Sequence, residues 1–587
     1  MFFALLYSGF MSSNNTLAIA LNVSSVAIAG IGAACLLITG NVDLSIGGQY
    51  ALISVLMAKV LVASESVILA IAFALALGLV LGTLDGMLVR YFKISPIIVT
   101  LALMGLYSGV AYAVTRGDTV FGFPQSFIDI GQEKWLGVPI PVIVAAVIFA
   151  AGGYFLIASK PGMRLYAIGG NEEAARLNGV RVGRMLVALY GINGLLMGVV
   201  ATLSTARLAT GSPGVGQGFE LDVLTAVILG GVAFNGGGGH PLGIFFGVAT
   251  IGVLNAGVIF AGLEDWYQDI VRAGVLLLAL ASDQLVLRLR ARSAARRAAP
   301  TEAADDGATY ARFERRDRGA SRRNGEPPVL SVRGAGKRYG SVVALHDFSL
   351  DVHPGEVVCL LGDNGAGKST AIKLMSGAIA PDGGTITFAG EHVELHNPSE
   401  ARRLGIETVH QGLALCPNLS IAHNLVLGEE PMRSGLGGAL RLRDDREAAR
   451  RAAARLTTLG IGLERLDESV SGLSGGQRQS VAIARALRDD VELIILDEPT
   501  AALGVGPTRR VLEVVRTAAE RGAGVILITH DIETVLAVAD HVVVLRLGGV
   551  ICDASIGEVD ASSLAHMMAG IEVAAPPAGV GAETSQT

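Results

Sequence analysis

The sequence predicts a protein in two parts: an all-α domain with about nine or ten membrane-spanning helices, followed by a soluble α/β domain. The mean hydropathy is +0.53 and 51% of the 587 residues are hydrophobic, which excludes a purely soluble enzyme and a largely disordered chain. Charge is unevenly spread, because 28 of the first 290 residues are charged against 70 of the other 297. From about Val329, short β-rich runs alternate with helical ones.

The composition also excludes several classes of function. The isoelectric point is near 6.0, which argues against a strongly basic nucleic-acid-binding protein, so we expect no nucleic-acid partner. The four cysteines show neither a close pair nor the spacing of zinc ligands, so the sequence suggests neither a disulfide framework nor a zinc site.

The predicted membrane domain covers residues 1–290. A spanning helix needs about 20 apolar residues. Apolar runs near that length lie at 17–39, 46–63, 67–91, 96–115, 138–158, 185–206, 220–236, 241–262 and 268–287. Residues 1–11 are apolar but short, the pattern expected for the outer end of a further span, so Met1 is not assumed to be the true start.

Basic residues in short loops predict the orientation of these spans. They concentrate in the turn at 90–95, in the loop at 158–184 and after the last span, at 288–297, which should all face the cytoplasm. Even numbers of spans separate these three segments, so the assignment is self-consistent. The loops at 116–137 and 262–267 then face outward.

A polar stretch at 41–48, NVDLSIGG, interrupts two apolar runs. A carboxylate at such a depth is costly and usually faces protein or water. Asp43 and Ser45 therefore either line or gate a pathway, or cap a broken helix at a tight turn. The sequence leaves both interpretations open.

A short helix is predicted in the loop at 158–184. Asn171 is a good N-cap, Glu172 and Glu173 suit a first turn, and Gly179 suits the end of the helix. Such a helix between two spans either docks onto the soluble domain or is an ordinary surface turn.

Residues 291–328 are predicted to be a flexible linker between the domains. They hold nine Arg and six Asp or Glu with little apolar content, which cannot build a core. The basic excess could also contact anionic lipid head groups. The soluble domain then covers 329–571, and 572–587 is a predicted disordered tail.

A phosphate-binding loop opens the soluble domain. The apolar strand ending at Leu361 runs into GDNGAGKST, which fits G-x-x-x-x-G-K-[ST], and a helical run follows. Glycines let successive backbone N–H groups face a phosphate, the lysine reaches the β- and γ-phosphates of ATP, and the next hydroxyl, that of Ser369, ligates Mg²⁺. The predicted nucleotide-binding residues of this loop are Gly362, Asn364, Gly365, Gly367, Lys368, Ser369 and Thr370.

Two adjacent carboxylates close the buried run LIILDE. Asp497 is placed to hold Mg²⁺, and Glu498 points elsewhere and can orient or deprotonate the attacking water. Between this run and the phosphate loop lies LSGGQ, which opens a helix and offers a second N-terminus for a phosphate. One subunit has no need of two such sites on one nucleotide, whereas a homodimer does. The residues concerned are Ser474, Gly475, Gly476 and Gln477.

The order of phosphate loop, Gln411, LSGGQ, LIILDEPT and His530 resembles an ATP-binding cassette (ABC) ATPase over about 329–571. The resemblance implies that Tyr339 stacks on adenine, that Gln411 senses Mg²⁺ and contacts the membrane half, and that the LSGGQ residues touch the γ-phosphate in trans. It also implies that His530 is the switch histidine. The chain departs from the family at Gly504, where Asp is common, which puts communication between the two ATP sites in doubt.

The membrane half resembles the ribose-type permeases of bacterial sugar importers. The similar stretches are 40–52, 162–182, 218–239 and the Tyr267–Arg272 region. The resemblance implies uptake of a monosaccharide across the bacterial inner membrane by a homodimer of this fused chain, together with a periplasmic binding protein. Alternatives are uptake of another small polar solute such as a nucleoside, an ABC exporter, and a non-transporting regulatory ATPase.

Overall fold

The computed structural model describes residues 10–262, 264, 266–297, 327–410, 412–458, 461–463, 465–488, 491–500 and 505–571. These residues form two compact units. The first unit contains the described residues before 298, except Leu177–Gly179, together with Glu430–Asp444. The second unit contains Leu177–Gly179 and the other described residues from 327 onward.

The first unit is almost entirely helical, with one small hairpin. Its helices, in chain order, are α1 Ser13–Ile38, α2 Ile46–Ser64, α3 Val67–Phe92, α4 Pro96–Thr115, α5 Gln125–Gln132, α6 Ile140–Ala158, α7 Lys160–Gly170, α8 Glu172–Leu177, α9 Val182–Leu208, α10 Phe219–Leu229, α11 Pro241–Phe260 and α12 Trp266–Arg297, and α16 Leu436–Ala439 belongs to it as well. The hairpin pairs β1 Lys134–Trp135 with β2 Val138–Pro139.

Seven helices of the described residues are long and apolar enough to cross a membrane: α1, α2, α3, α4, α6, α9 and α11. They match seven of the predicted apolar runs. The run at 220–236 does not form a span, because α10 ends at Leu229 and is 11 residues long, far short of the hydrocarbon core at 1.5 Å per residue. The run at 268–287 lies in α12, a helix that continues to Arg297 and so includes the first residues of the predicted linker.

Glycines allow α3 and α9 to approach each other closely. A Cβ added to Gly194 would lie 2.1 Å from the carbonyl oxygen of Gly78, and one added to Gly78 would lie 2.2 Å from that of Gly194. Gly82 meets the same stretch of α9, where its Cβ would lie 2.2 Å from the Tyr190 carbonyl oxygen. Small residues four apart are typical of helix contacts inside membranes, where close backbone packing replaces the hydrophobic effect.

The second unit contains two sheets. Its strands are β3 Leu330–Tyr339, β4 Val342–Val352, β5 Val357–Leu361, β6 Gly383–Phe388, β7 Glu391–His392, β8 Ile406–Val409, β9 Leu493–Asp497, β10 Gly524–Thr529, β11 His541–Arg546 and β12 Gly549–Ser555. The six-stranded sheet has the order β12-β11-β5-β10-β9-β8 and is parallel apart from β12. The four-stranded sheet, β4-β3-β6-β7, is antiparallel.

The central strands β5 and β10 are buried along their whole length, as expected for parallel strands covered on both faces. Short helices connect the strands, and those of this unit are α13 Lys368–Met375, α14 Pro398–Arg403, α15 Ile421–Val426, α17 Asp445–Thr458, α18 Gly475–Ala486, α19 Val505–Glu520, α20 Ile532–Val538 and α21 Ala561–Ala569. The structure thus confirms the predicted membrane helices followed by an α/β domain.

The predicted short helix of the 158–184 loop is confirmed as α8. The backbone N–H of Ala174 donates to Asn171 Oδ1 at 2.9 Å, which is the expected N-cap bond, and Gly179 has a φ of +82° just beyond the helix. Residues 1–9 of the short apolar segment at the start, most of the predicted linker and the predicted tail from 572 onward lie outside the described residues.

Candidate functional site

The phosphate loop joins β5 to α13 in the predicted strand–loop–helix arrangement. Gly365 and Gly367 have φ values of +86° and +107°, in a region of backbone conformation that residues with a Cβ rarely adopt. A Cβ on Gly367 would also lie 2.7 Å from the carbonyl oxygen of Ala344. The glycines are therefore required by the backbone path itself, and that path turns the loop around the N-terminus of α13.

Lys368 is the first residue of α13 and is 7% exposed. Its Nζ donates to the carbonyl oxygens of Gly362 at 2.5 Å and Asp363 at 3.0 Å, so the ammonium group lies across the loop. Burial lowers the pKa of Lys368, while the nearby carboxylates, with Glu498 foremost, act in the opposite direction. The residue therefore places a positive charge inside the loop, where a phosphate would meet it.

Parallel pairing brings the catalytic candidates to the same edge of the sheet. Strand β10 lies between β5 and β9, with Thr529 opposite Leu361 and Ile528 opposite Asp497. The phosphate loop, the carboxylates after β9 and the residue after β10 thus all follow the carboxyl ends of neighbouring strands. Ligands bind at this edge in open α/β sheets.

Glu498 and His530 are in contact at this edge. The His530 Nδ1 lies 3.0 Å from Glu498 Oε1, although 32 residues separate the two in sequence. Glu498 has a φ of +47°, and its backbone N–H donates to the Ile528 carbonyl oxygen at 2.9 Å. The left-handed backbone turns the carboxylate away from the direction of β9 and towards the histidine, which is 60% exposed.

The LSGGQ segment forms the N-terminus of α18. Ser474 is the N-cap and forms a capping box with Gln477: the Gln477 N–H donates to Ser474 Oγ at 3.3 Å, and the Ser474 N–H donates to Gln477 Oε1 at 3.0 Å. A Cβ added to Gly475 would meet nothing within 4 Å, so packing among the described residues does not require this glycine. Gly476 follows it in the first turn of α18.

The remaining predicted site residues are placed as follows. Tyr339 ends β3 with 47% of its surface exposed, so its ring is accessible for stacking. Ser369 and Asn364 are exposed, whereas Thr370 is partly buried. Gln411 and Gly504 lie outside the described residues, so their roles stay predictions.

Sequence reasoning missed Arg485. This residue lies on the buried face of α18 and donates to the carbonyl oxygens of Leu413 at 3.1 Å and Ala414 at 2.6 Å. Leu413 and Ala414 have φ values of +59° and +45°, which few residues other than glycine adopt. Burial, reinforced by nearby Arg402, lowers the pKa of Arg485 to about 10. The available signal was an arginine inside the apolar run VAIARAL.

We expect Arg485→Ala to destabilise this turn, because two backbone carbonyls lose a charged donor and each such bond contributes about 1.5–3 kcal/mol. Arg485→Lys should cause a smaller loss, since an ammonium keeps the charge without the planar fork. The measurement is the thermal midpoint and ATPase rate of the full chain in detergent. Arg521→Ala, at an exposed position, is the control. An Arg485→Ala midpoint equal to that of Arg521→Ala would contradict the expectation.

Comparisons with known proteins match the two halves separately. Residues 15–280 match the family described as branched-chain amino acid transport system / permease component, and residues 345–501 match the ABC transporter family. The chain is 46% identical over 229 residues to the fructose import ATP-binding protein FrcA of Rhizobium meliloti, covering 39% of this chain and 88% of that protein.

Two further relatives support the same division. The xylose/arabinose import ATP-binding protein XylG of Sulfolobus acidocaldarius is 40% identical over 240 residues, 41% of this chain and 93% of that protein. The ribose import permease protein RbsC of Escherichia coli K12 is 36% identical over 278 residues, 47% of this chain and 87% of that protein. The chain therefore belongs to the ABC transporter family and joins in one multi-pass membrane polypeptide a permease component and a cytoplasmic ATPase that couples ATP hydrolysis to transport.

Proposed function

We propose that this chain takes up a monosaccharide at the expense of ATP, across the bacterial inner membrane. The observation that carries the proposal is that both halves, considered separately, have relatives named for sugar import: fructose and xylose/arabinose for the ATPase, ribose for the permease. Agreement between two independent halves favours sugar over the other small solutes, with nucleosides kept as the second candidate class.

The ATPase site supports a defined chemical step. Water attacks the γ-phosphorus of ATP, the bond from that phosphorus to the β–γ bridging oxygen breaks, and Glu498 accepts the proton of the water. The contact with His530 at 3.0 Å orients the carboxylate for this role. Lys368 stabilises the negative charge on the β- and γ-phosphates.

A magnesium ion fits the residues at this edge. A serine hydroxyl, a carboxylate and an amide oxygen are hard oxygen ligands, the kind that Mg²⁺ prefers. We propose that Ser369 and Asp497, with Gln411, hold Mg²⁺, which neutralises phosphate charge when it is bound.

We infer that the working unit is a homodimer. The N-terminus of α18 offers backbone N–H groups, and Gly475 leaves that backbone open although packing among the described residues does not require a glycine there. A second copy of the cassette would bring its ATP to this position, so that Ser474, Gly475 and Gly476 contact the γ-phosphate in trans. Two copies of the fused chain supply two permease halves and two complete ATP sites.

The segment around α8 is the proposed mechanical link between ATP binding and the spans. Leu177–Gly179 belong to the second unit, in which the buried Asn178 donates through Nδ2 to the carbonyl oxygen of Ala414 at 2.9 Å. Arg485 of α18 donates to the same oxygen at 2.6 Å. Within the second unit, one carbonyl thus joins α18, the helix of the LSGGQ segment, to Asn178, the residue that directly follows α8 in the chain.

A periplasmic solute-binding protein is the proposed external partner, since import needs a source of captured sugar and the outward loops are the surfaces available for docking. An exporter is disfavoured by the sequence, because exporter spans usually extend into long cytoplasmic helices and no loop here is long enough. A non-transporting ATPase is expected to have lost part of an ATPase motif, whereas the phosphate loop, LSGGQ and LIILDE are all intact in this sequence.

The test is uptake of a labelled panel of pentoses, hexoses, polyols and nucleosides. Cells would express the full chain with the binding protein encoded nearest to it, and a parallel strain would carry Glu498→Gln. We expect one monosaccharide to accumulate in the first strain and not in the second. Accumulation of a nucleoside alone would replace the sugar. Intact ATPase activity with no uptake of any compound would contradict the importer and favour export or a regulatory role.

A further inference from the structure

A polar cluster lies inside the membrane unit, where the chain breaks between α1 and α2. Asp43 and Ser45 belong to the break, and Gln49 lies on α2. Asp85 lies on α3, 40 residues after Ser45. Ser45, Gln49 and Asp85 are completely buried and Asp43 is 5% exposed. Two carboxyl groups are therefore buried close together, one in a candidate membrane span and the other in the break between two spans.

Four close contacts connect these groups. Ser45 Oγ lies 2.5 Å from Asp43 Oδ1 and 2.6 Å from Asp85 Oδ2. Gln49 Nε2 lies 2.8 Å from Ser45 Oγ and 2.8 Å from Asp85 Oδ2. Each contact has the length of a hydrogen bond, so each needs one hydrogen between its two atoms.

The side chains other than the carboxyl groups supply three of these four hydrogens. The Gln49 amide has two N–H groups and the Ser45 hydroxyl has one O–H. If the Gln49 amide were rotated so that its oxygen faced the cluster, it would supply no hydrogen. Ser45 would then supply one and the two carboxyl groups at most two, which is fewer than the four that the contacts need. All four contacts are hydrogen bonds only if the Gln49 amide nitrogen faces the cluster and one of the two carboxyl groups is protonated.

The other donors indicate which carboxyl group carries the proton. Asp43 accepts from the Ser45 backbone N–H at 2.9 Å and from Asn193 Nδ2 at 2.9 Å, in addition to the Ser45 hydroxyl. Asp85 accepts from Tyr107 Oη at 2.5 Å and from Gln49. Apart from Ser45 Oγ, which contacts both carboxyl groups, two donors face each of them. Both donors to Asp43 are N–H groups, which can only donate, whereas the Tyr107 hydroxyl beside Asp85 can also accept. The ionised form is therefore better stabilised at Asp43, and the proton is assigned to Asp85.

Two further observations support one proton on the pair Asp43 and Asp85. Among the described residues, no Lys, Arg or His forms an ion pair with Asp43 or Asp85, so a doubly ionised pair would have no counter-charge in a medium where charge is costly. The fully buried Gln49 amide, which faces the cluster through its nitrogen, carries an oxygen, Oε1, with no partner among the described residues. The Gln49 amide therefore donates twice into the cluster through Nε2, while its Oε1 accepts no hydrogen bond from the described residues.

We propose that the Asp43–Ser45–Asp85 cluster is a proton-binding site of the membrane unit: one proton rests on Asp85 Oδ2, donates to Ser45 Oγ, and Ser45 donates to the ionised Asp43. This proton allows the break between α1 and α2 to bond to α3. Tyr107 of α4 and Asn193 of α9 tie two more helices to the same pair. In the part of the chain that the structure describes, the titratable groups facing the pair are Tyr107 and Tyr190. The Tyr190 Oη donates to the Val42 carbonyl oxygen at 3.1 Å.

The test is infrared spectroscopy of the full chain in lipid nanodiscs, with aspartate labelled in its side-chain carboxyl carbon. We expect a label-sensitive band of a protonated carboxylic acid at neutral pH in the wild type and its loss in Asp85→Asn. Tyr107→Phe should keep the band and move it to higher frequency, because Asp85 Oδ1 loses its donor. This second variant leaves both carboxyl groups in place, so it tests the assignment even if Asp85→Asn fails to fold.

Absence of the band in the wild type, or its unchanged presence in Asp85→Asn, would overturn the assignment. The thermal midpoint of the same samples separates a proton from a metal cation. Replacing K⁺ by Na⁺ at constant pH and ionic strength should leave the wild-type midpoint unchanged. A rise in Na⁺ that Asp85→Asn abolishes would show a sodium site instead. These measurements need no transported sugar, so their outcome is independent of the proposed uptake.

Discussion

Glu498→Gln is expected to slow ATP hydrolysis by about 10²–10⁴-fold, the range expected for loss of a general base, while ATP stays bound. Glutamine keeps the size of the side chain and an oxygen that can face His530, but it cannot accept the proton of the attacking water. Nucleotide contacts made by the phosphate loop are unchanged. The measurement is phosphate release by the purified full chain, together with the amount of labelled ATP retained after gel filtration.

The matched control for this variant is Glu492→Gln. Glu492 precedes the same strand, β9, at its opposite end, and is exposed. The control should hydrolyse ATP at the wild-type rate. Turnover by Glu498→Gln within about tenfold of the wild type would move the general-base role to another residue, and His530→Ala would then be the next variant to measure.

The parts of the site that the sequence predicts best are those in which local geometry and chemistry depend on neighbouring residues. The phosphate loop is such a case, because Gly365 and Gly367 are needed for positive φ values a few residues from Lys368. The short helix α8 is another, since Asn171 and Gly179 mark its ends within one loop. In both cases the residues that determine the local structure lie within a few positions of one another in the sequence.

The parts that it predicts poorly depend on residues distant in the chain. The sequence predicts Asp43 as a costly group in a membrane run, but its bond to Asn193 of α9 follows only from how the helices pack. The same holds for the contacts of Asp85 on α3 with Ser45 and with Tyr107 of α4. Asp43 and Ser45 are both buried at the break between α1 and α2, where the Ser45 N–H donates to Asp43 Oδ1. The two interpretations, a pathway and a helix cap, both stay predictions.

Hydropathy alone also overestimated one span. The run at 220–236 is apolar enough, but α10 ends where Gly230 meets α11: a Cβ added to Gly230 would lie 2.7 Å from the carbonyl oxygen of Gly243. Two glycines follow the last residue of this 11-residue helix, Gly230 as its C-cap and Gly231 with a φ of +80°, and an average of hydropathy over a window does not detect them. The contact of Glu498 with His530, in contrast, joins residues distant in the chain, because it depends on β10 lying beside β9.

Lys368→Ala is expected to weaken ATP binding by about 100-fold, the equivalent of about 2.7 kcal/mol. The phosphates would lose a buried, charge-assisted donor, and neighbouring Glu498, Asp363 and Asp497 would then oppose the negative charge of ATP without compensation. Because the glycine backbone and the N-terminus of α13 remain, some affinity should persist. The measurement is titration of the full chain with a fluorescent ATP analogue in Mg²⁺ buffer.

Lys373→Ala is the matched control, because Lys373 lies in the last turn of the same helix with its side chain exposed. It removes an equal charge from the domain, so any general effect of net charge on a polyanion appears in both variants. Only Lys368 has its ammonium on the carbonyl oxygens of Gly362 and Asp363. Equal loss of affinity in the two variants would mean that long-range charge, and not the position of the ammonium in the loop, holds the nucleotide.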